Sequence, residues 1–161
     1  MPVEDVLSTP VYGEALTVRH VAAAATGGVA AEVAHVQADA GWTATVHPLA
    51  APPSGAADAV VLWGLAAGAL RAGPAGGVPT VLVLDEADVR TVLTRPARWL
   101  AEARAARDTN LLLLPEQLAE RWTRFGPPVP LAHCPAGLPE PGAVELLSAW
   151  VARAYAYGRL T

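Results

Sequence analysis

The chain has 161 residues, 53% of them hydrophobic and 16% charged, with a formal net charge of −4. Length and apolar content fit one domain with a substantial core, and the charge falls below the usual ~25%, so alanine or another protein must cover part of the surface. The eleven basic residues are all arginine and form no patch or stripe of the kind nucleic acid requires, while a single cysteine, Cys134, excludes an intrachain disulfide framework and a cysteine-based zinc site.

Residues 1–15 read as an extension with two prolines, Pro2 and Pro10, and residues 16–161 as a single domain. The acidic start, Met1-Pro2-Val3-Glu4-Asp5, is unlike a signal peptide. The longest apolar run, Ala59 to Leu70, is too short to span a bilayer, so a cytoplasmic protein is expected. Leu16 to Ala24 is the first predicted strand. A helix follows over Gly28 to Ala40, with Val29, Val33, Val36 and Ala40 on one face and Glu32, His35 and Asp39 on the other. Between them stands Gly27-Gly28. A strand turning sharply through two glycines into a helix start would aim unpaired N–H groups at an anion or a sugar. Glycine there supplies positive φ and close approach. Thr26, Gly27 and Gly28 are therefore candidate ligand-binding residues, weighed against a tight turn with no ligand.

Thr43 to Val46 is a short strand and Pro48 to Ala57 a loop. Asp58 to Trp63 reads as a buried strand, Leu65 to Arg71 as a short helix, and Ala72 to Gly77 as a turn. Val78 to Leu84 is the clearest central strand. Arg95 to Arg107 is a helix with Trp99, Ala103 and Ala106 inward and an Arg98/Glu102 pair outward. Thr109 to Leu114 is a strand. Pro115 to Phe125 is a helix opened by proline, with Leu118, Trp122 and Phe125 as its apolar stripe. Val129 to His133 is the last strand. Gly142 to Tyr157 is a closing helix whose apolar arc is wider than an ordinary ~100° stripe. Leu146, Trp150 and Tyr155 are its candidate interface anchors, with core packing as the other reading. Continuous apolar strands alternating with helices predict a Rossmann-like, doubly wound parallel sheet of about six strands with helices on both faces.

Chemical motifs are sparse. Ala25-Thr26-Gly27-Gly28-Val29-Ala30 is not the dinucleotide fingerprint. Asp85-Glu86-Ala87-Asp88 mimics a Mg-binding acidic motif, yet the chain has no lysine for a P-loop. Asp85 reads first as a helix cap with Asp88 in the first turn, and second as a ligand at the carboxyl end of a parallel strand. His20, His35, His47 and His133 show no metal spacing and read as structural. His133 and Cys134 are expected on opposite sides of a strand, and Cys134 as a buried apolar residue. No G-x-S-x-G elbow surrounds Ser8, Ser54 or Ser148. No cofactor and no metal are implied.

In order and spacing the chain resembles the N-terminal, acceptor-side domain of GT-B glycosyltransferases of the family-4 type, over roughly residues 16–139. The likeness rests on Val18-Arg19-His20-Val21 through Thr26-Gly27-Gly28-Val29-Ala30, then Gly41-Trp42-Thr43-Ala44-Thr45-Val46. It continues through Asp58-Ala59-Val60-Val61 with Leu65 to Leu70, and Gly77-Val78-Pro79-Thr80-Val81. Pro115-Glu116-Gln117-Leu118-Ala119-Glu120-Arg121 and Pro135-Ala136-Gly137-Leu138 complete it. The chain departs where the family has histidine: Leu62-Trp63-Gly64 follows the third strand and Asp85 ends the fourth. Pro115 replaces a serine and Ala136 an asparagine. The family's nucleotide-sugar domain has no counterpart, and the last helix would take the place of the family's closing helix. The resemblance implies a glycosyltransferase-like half-domain, a partner or accessory subunit of a sugar-transfer complex that is not catalytic alone. Glu116 joins Thr26, Gly27, Gly28 and Asp85 as a ligand-binding candidate. A transferase subunit or a second copy of the chain is the expected partner. Two other readings stay open: a stand-alone small-molecule or phosphate-binding α/β protein, and a structural self-associating module.

Overall fold

The computed structural model describes residues 15–49, 56–64, 78–85, 87–88, 90, 94, 109–125 and 129–157. The expected extension, apart from residue 15, and the expected helices over 65–71 and 95–107 lie outside the described residues.

Six parallel strands form one sheet in the order β2-β1-β3-β4-β5-β6. They are β1 (Thr17–Ala22), β2 (Thr43–Pro48), β3 (Ala59–Trp63), β4 (Thr80–Val83), β5 (Leu111–Leu114) and β6 (Leu131–His133). The helices between and after them are α1 (Ala24–Asp39), α2 (Glu116–Phe125) and α3 (Pro141–Tyr157). This is the Rossmann-like α/β architecture read from the sequence. Strands β3 and β5 are apolar throughout because both faces of the sheet are covered. Along β5, Leu111 and Leu113 join one core cluster and Leu112 and Leu114 the other, as the two-residue period of a strand requires. The first cluster takes Val33 of α1 and Val144, Leu147 and Trp150 of α3. The second takes Leu118 and Trp122 of α2. Helices therefore pack on both faces.

The start of α1 corrects one expectation. The strand stops at Ala22 and the helix begins at Ala24, so Gly27 and Gly28 lie inside the helix rather than in a turn before it. Neither has positive φ; among described glycines only Gly41, Gly64 and Gly137 do. Glycine is a poor helix former, but packing of Ala30, Val33 and Ala34, all buried, overrides that weak local preference. A Cβ added to Gly27 or Gly28 would meet no atom within 4 Å. Neither glycine is thus required by crowding or by φ. Gly28→Ala is expected to raise unfolding free energy by about 0.5–1 kcal/mol in a urea titration.

Glycine does matter at the other end of α1. Gly41, at φ 97°, donates its N–H to the Ala38 carbonyl at 3.0 Å, and Trp42 donates to the Gln37 carbonyl at 3.0 Å. This is the Schellman arrangement, which needs a left-handed residue just past the helix end. It drops the buried Trp42 into the first core cluster and aims the chain into β2.

The apolar arc of α3 divides as the structure buries it. Trp150 is 2% exposed and belongs to the core, whereas Leu146 is 47% and Tyr155 39% exposed. Trp150 is therefore not an interface anchor; its indole is consumed by packing within this chain. Leu146 and Tyr155 are nine positions apart, which places them on opposite sides of a helix of 3.6 residues per turn, so they form no single patch.

Candidate functional site

The two edges of the sheet use their polar groups differently. At the amino edge, Asp58 Oδ2 accepts the Thr17 N–H at 2.8 Å and Asn110 Oδ1 accepts the Thr80 N–H at 2.8 Å. Those side chains are committed to backbone groups at strand starts. At the carboxyl edge, polar and apolar residues together surround a cleft of about 650 Å³. The strand order reverses direction between β1 and β3, and open parallel sheets take ligands outside the carboxyl ends of their strands at such a point.

Each wall of the cleft is the residue run that follows a strand. After β1 come Thr26 and Val29 on α1; at the end of β3 stand Trp63 and Gly64; after β4, Leu84 and Asp85. Beyond β5 are Pro115, Glu116 and Gln117, and from the end of β6 the run His133 to Leu138 closes the far side. Gly64, at φ 94°, lets the chain leave β3 sharply without a side chain over the cleft. Glu116 and Gln117 are exposed at the first turn of α2, which opens directly after Pro115, whose carbonyl accepts the Leu118 N–H at 3.0 Å.

Asp85 takes the capping role expected of it and also borders the cleft. Its Oδ1 accepts the Asp88 N–H at 3.0 Å, and Asp88 Oδ2 accepts the Asp85 N–H at 2.8 Å. This reciprocal pair is a capping box with Asp in both places, and it starts the helical stretch containing Ala87, Asp88, Arg90 and Thr94.

Of the sequence-derived ligand candidates, Thr26, Asp85 and Glu116 come together around this cleft. Gly27 borders a separate depression of about 490 Å³ with Ala22, Val46, His47 and Leu49. Gly28 is exposed on α1 and lines neither hollow. The Thr26 hydroxyl donates back to the Ala23 carbonyl at 3.3 Å. His133 and Cys134 were expected on opposite sides, yet both line the same cleft, because β6 ends at His133 and Cys134 already belongs to the turn. Cys134 is half-buried rather than sealed in the core. Burial, and secondarily the Asp85 carboxylate, push its thiol up to about 11. At neutral pH it is a thiol and a poor nucleophile.

Beneath the cleft lies a buried polar chain that sequence reading did not assemble. Trp63 Nε1–H donates to His20 Nδ1 at 2.9 Å. His20 Nε2 meets Gln37 Oε1 at 2.7 Å, and Gln37 Nε2 donates to Ser148 Oγ at 3.1 Å. His20 is fully buried, with Gln37 2%, Ser148 3% and Trp63 5% exposed. Indole nitrogen only donates, so it fixes every other role. His20 Nδ1 must accept, its proton must sit on Nε2, and the Gln37 amide must turn its oxygen to His20 and its nitrogen to Ser148. Burial lowers the His20 pKa to about 4, partly offset by the Gln37 bond, so the ring is neutral. The expectation that His20 is a satisfied structural histidine agrees with this.

Among the described residues no group of three or more His, Cys, Asp or Glu side chains could hold a metal ion, and no helix is long and apolar enough to cross a membrane. Fold and site together define a Rossmann-like α/β protein with a cleft at the carboxyl edge of its sheet. Comparison with protein-family models, with curated proteins and with solved structures finds no match.

Proposed function

We propose that the chain binds a small, uncharged polyhydroxylated ligand of the sugar class in the carboxyl-edge cleft, and contributes the acceptor side of a sugar-transfer assembly rather than acting as a transferase alone. The lining of the cleft carries this reading: Trp63 at the end of β3, Asp85 and Glu116 with their carboxylates, Gln117 and His133, with no arginine among the described lining residues. Carboxylates and amides are the acceptors and donors that hydroxyl groups need, and apolar lining residues such as Val29, Leu84 and Leu138 suit the C–H face of a sugar ring. A phosphate would meet two carboxylates and no cation. Glu116 and Gln117, and Pro135 to Leu138, belong to the segments that resemble family-4 glycosyltransferases, and both segments line the cleft. That coincidence supports the acceptor-side part of the reading. The neutral Cys134 thiol supplies no ready nucleophile, which favours a role shared with a partner.

The test is a titration of isotopically labelled chain with neutral mono- and disaccharides, inorganic phosphate and a nucleoside diphosphate. Neutral sugars are expected to shift the amide signals of Thr26, Gly64, Glu116 and Gly137, and Glu116→Ala to weaken that binding at least fivefold with the fold intact. Phosphate shifting Gly27 and Gly28 while sugars shift nothing would reverse the ligand class. Copurification from the native host then tests the assembly: a partner carrying a nucleotide-sugar domain is expected, and a chain that emerges alone and monodisperse counts against it.

A further inference from the structure

Four polar side chains in an otherwise apolar core are a costly arrangement unless every member is satisfied. Here the members come from four elements. Trp63 ends β3, His20 lies in β1, Gln37 is in the last turn of α1 and Ser148 is in the middle of α3. Only Trp63 reaches the ligand cleft. Gln37 and Ser148 lie at the opposite end of the chain of bonds, where they border a groove of about 260 Å³ between α1 and α3. All three bonds run in one direction, because a donor-only indole stands at the cleft end.

We infer that Gln37 and Ser148 are positioning residues for the cleft: by holding His20 as the Nε2–H tautomer they fix the orientation of the indole of Trp63, the one member of the chain of bonds that lines the cleft. The His20 and Trp63 rings are 5.9 Å apart and tilted by 34°, so they do not stack face to face. The hydrogen bond, rather than ring stacking, sets their relative orientation. Without an acceptor at position 37, a buried Nε2–H loses its partner, and the indole bond alone is left to hold the proton there. The other tautomer would set Nδ1–H against the indole N–H, donor against donor, and the indole would have to turn. The inference rests on the proposed function only for its consequence on sugar affinity.

The experiment uses nitrogen NMR of the full chain, reading the His20 ring nitrogens and the Trp63 indole N–H, with Trp63→Phe to assign the latter. In the unaltered protein His20 is expected as a single tautomer with Nδ1 unprotonated. Gln37→Leu is expected to mix the tautomers, shift the indole signal and lower sugar affinity at least fivefold. Gln37→Glu keeps an oxygen acceptor toward His20 and is expected to restore both nitrogen signatures at neutral pH. Should Gln37→Leu not fold, Ser148→Ala is expected to move the same signals in the same direction by less. A merely structural role would lower the melting temperature and leave the two nitrogen signatures in place, and that result in a folded Gln37→Leu or Ser148→Ala protein overturns the inference. So do moved signatures with sugar affinity unchanged. If the unaltered protein binds no sugar, the proposed function fails while the nitrogen signatures still decide the positioning role.

Discussion

Replacing Trp150 by alanine is expected to lower the unfolding free energy by about 3–5 kcal/mol, the range for deleting a buried aromatic side chain. Trp150 is 2% exposed and packs in the cluster that joins α3 to the sheet with Val144, Leu147 and Val151. The cavity it would leave cannot close by local rearrangement, because strands on one side and α1 on the other are fixed in the same cluster. For a domain whose whole stability is about 5–15 kcal/mol, that loss moves the urea midpoint far toward zero. Leu146→Ala and Tyr155→Ala are the controls. Both side chains are exposed, so each change is expected to stay within about 0.5 kcal/mol. Chemical denaturation and size-exclusion chromatography of the three variants settle the role of α3. If Trp150→Ala dissociated an oligomer and left the monomer's stability unchanged, the wide apolar arc would be an interface after all.

The different fates of residues on α3 illustrate what the sequence reveals. An apolar arc states how much of a helix is to be covered, but not by what. Leu147, Trp150 and Val151 meet the sheet, while Leu146 remains outside. The strands were readable because runs such as Val60-Val61-Leu62-Trp63 and Leu111 to Leu114 are too short for buried helices and are continuous enough for a sheet covered twice. Gly27 and Gly28 misled because glycine's local cost is about 1 kcal/mol, less than the burial of Ala30, Val33 and Ala34 contributes in return. For the cleft, Thr26 and Asp85 could be found as residues just past predicted strand ends, and Glu116 entered through the family resemblance. Trp63, His133 and the 135–138 turn could not be joined to them, since which strand ends are neighbours depends on the order β2-β1-β3-β4-β5-β6. The polar chain is less legible still. Gln37 and Ser148 are 111 positions apart, and neither residue type announces a partner. A glutamine on the apolar side of α1, where Val33 and Ala34 are also buried, was the available signal.

The second large effect is acid destabilisation carried by His20. The unfolded chain binds a proton at this ring near pH 6.5, and the folded chain only near pH 4. Above pH 6.5 neither state is protonated and the ring adds no pH dependence. As pH falls below 6.5, the unfolded state takes up a proton that the folded state refuses, and folding weakens. The loss grows until about pH 4, where the folded ring also protonates, and then levels. A gap of about 2.5 units corresponds to roughly 3 kcal/mol in total. The structural reason is specific: a protonated imidazole has donors at both nitrogens, so it would lose the bond from Trp63 Nε1–H while sitting uncompensated in an apolar core. Urea unfolding of the native chain at intervals from pH 7.5 to 4.5 is therefore expected to show stability falling with acid. In His20→Phe the overall stability is also expected to fall, because the Trp63 N–H and the Gln37 oxygen lose their partner, but this part of the pH dependence should vanish. The difference between the two curves isolates His20 from every other titrating group. Parallel curves would mean that His20 is neither desolvated nor locked as the structure places it, and the polar chain from Trp63 to Ser148 would have to be redrawn.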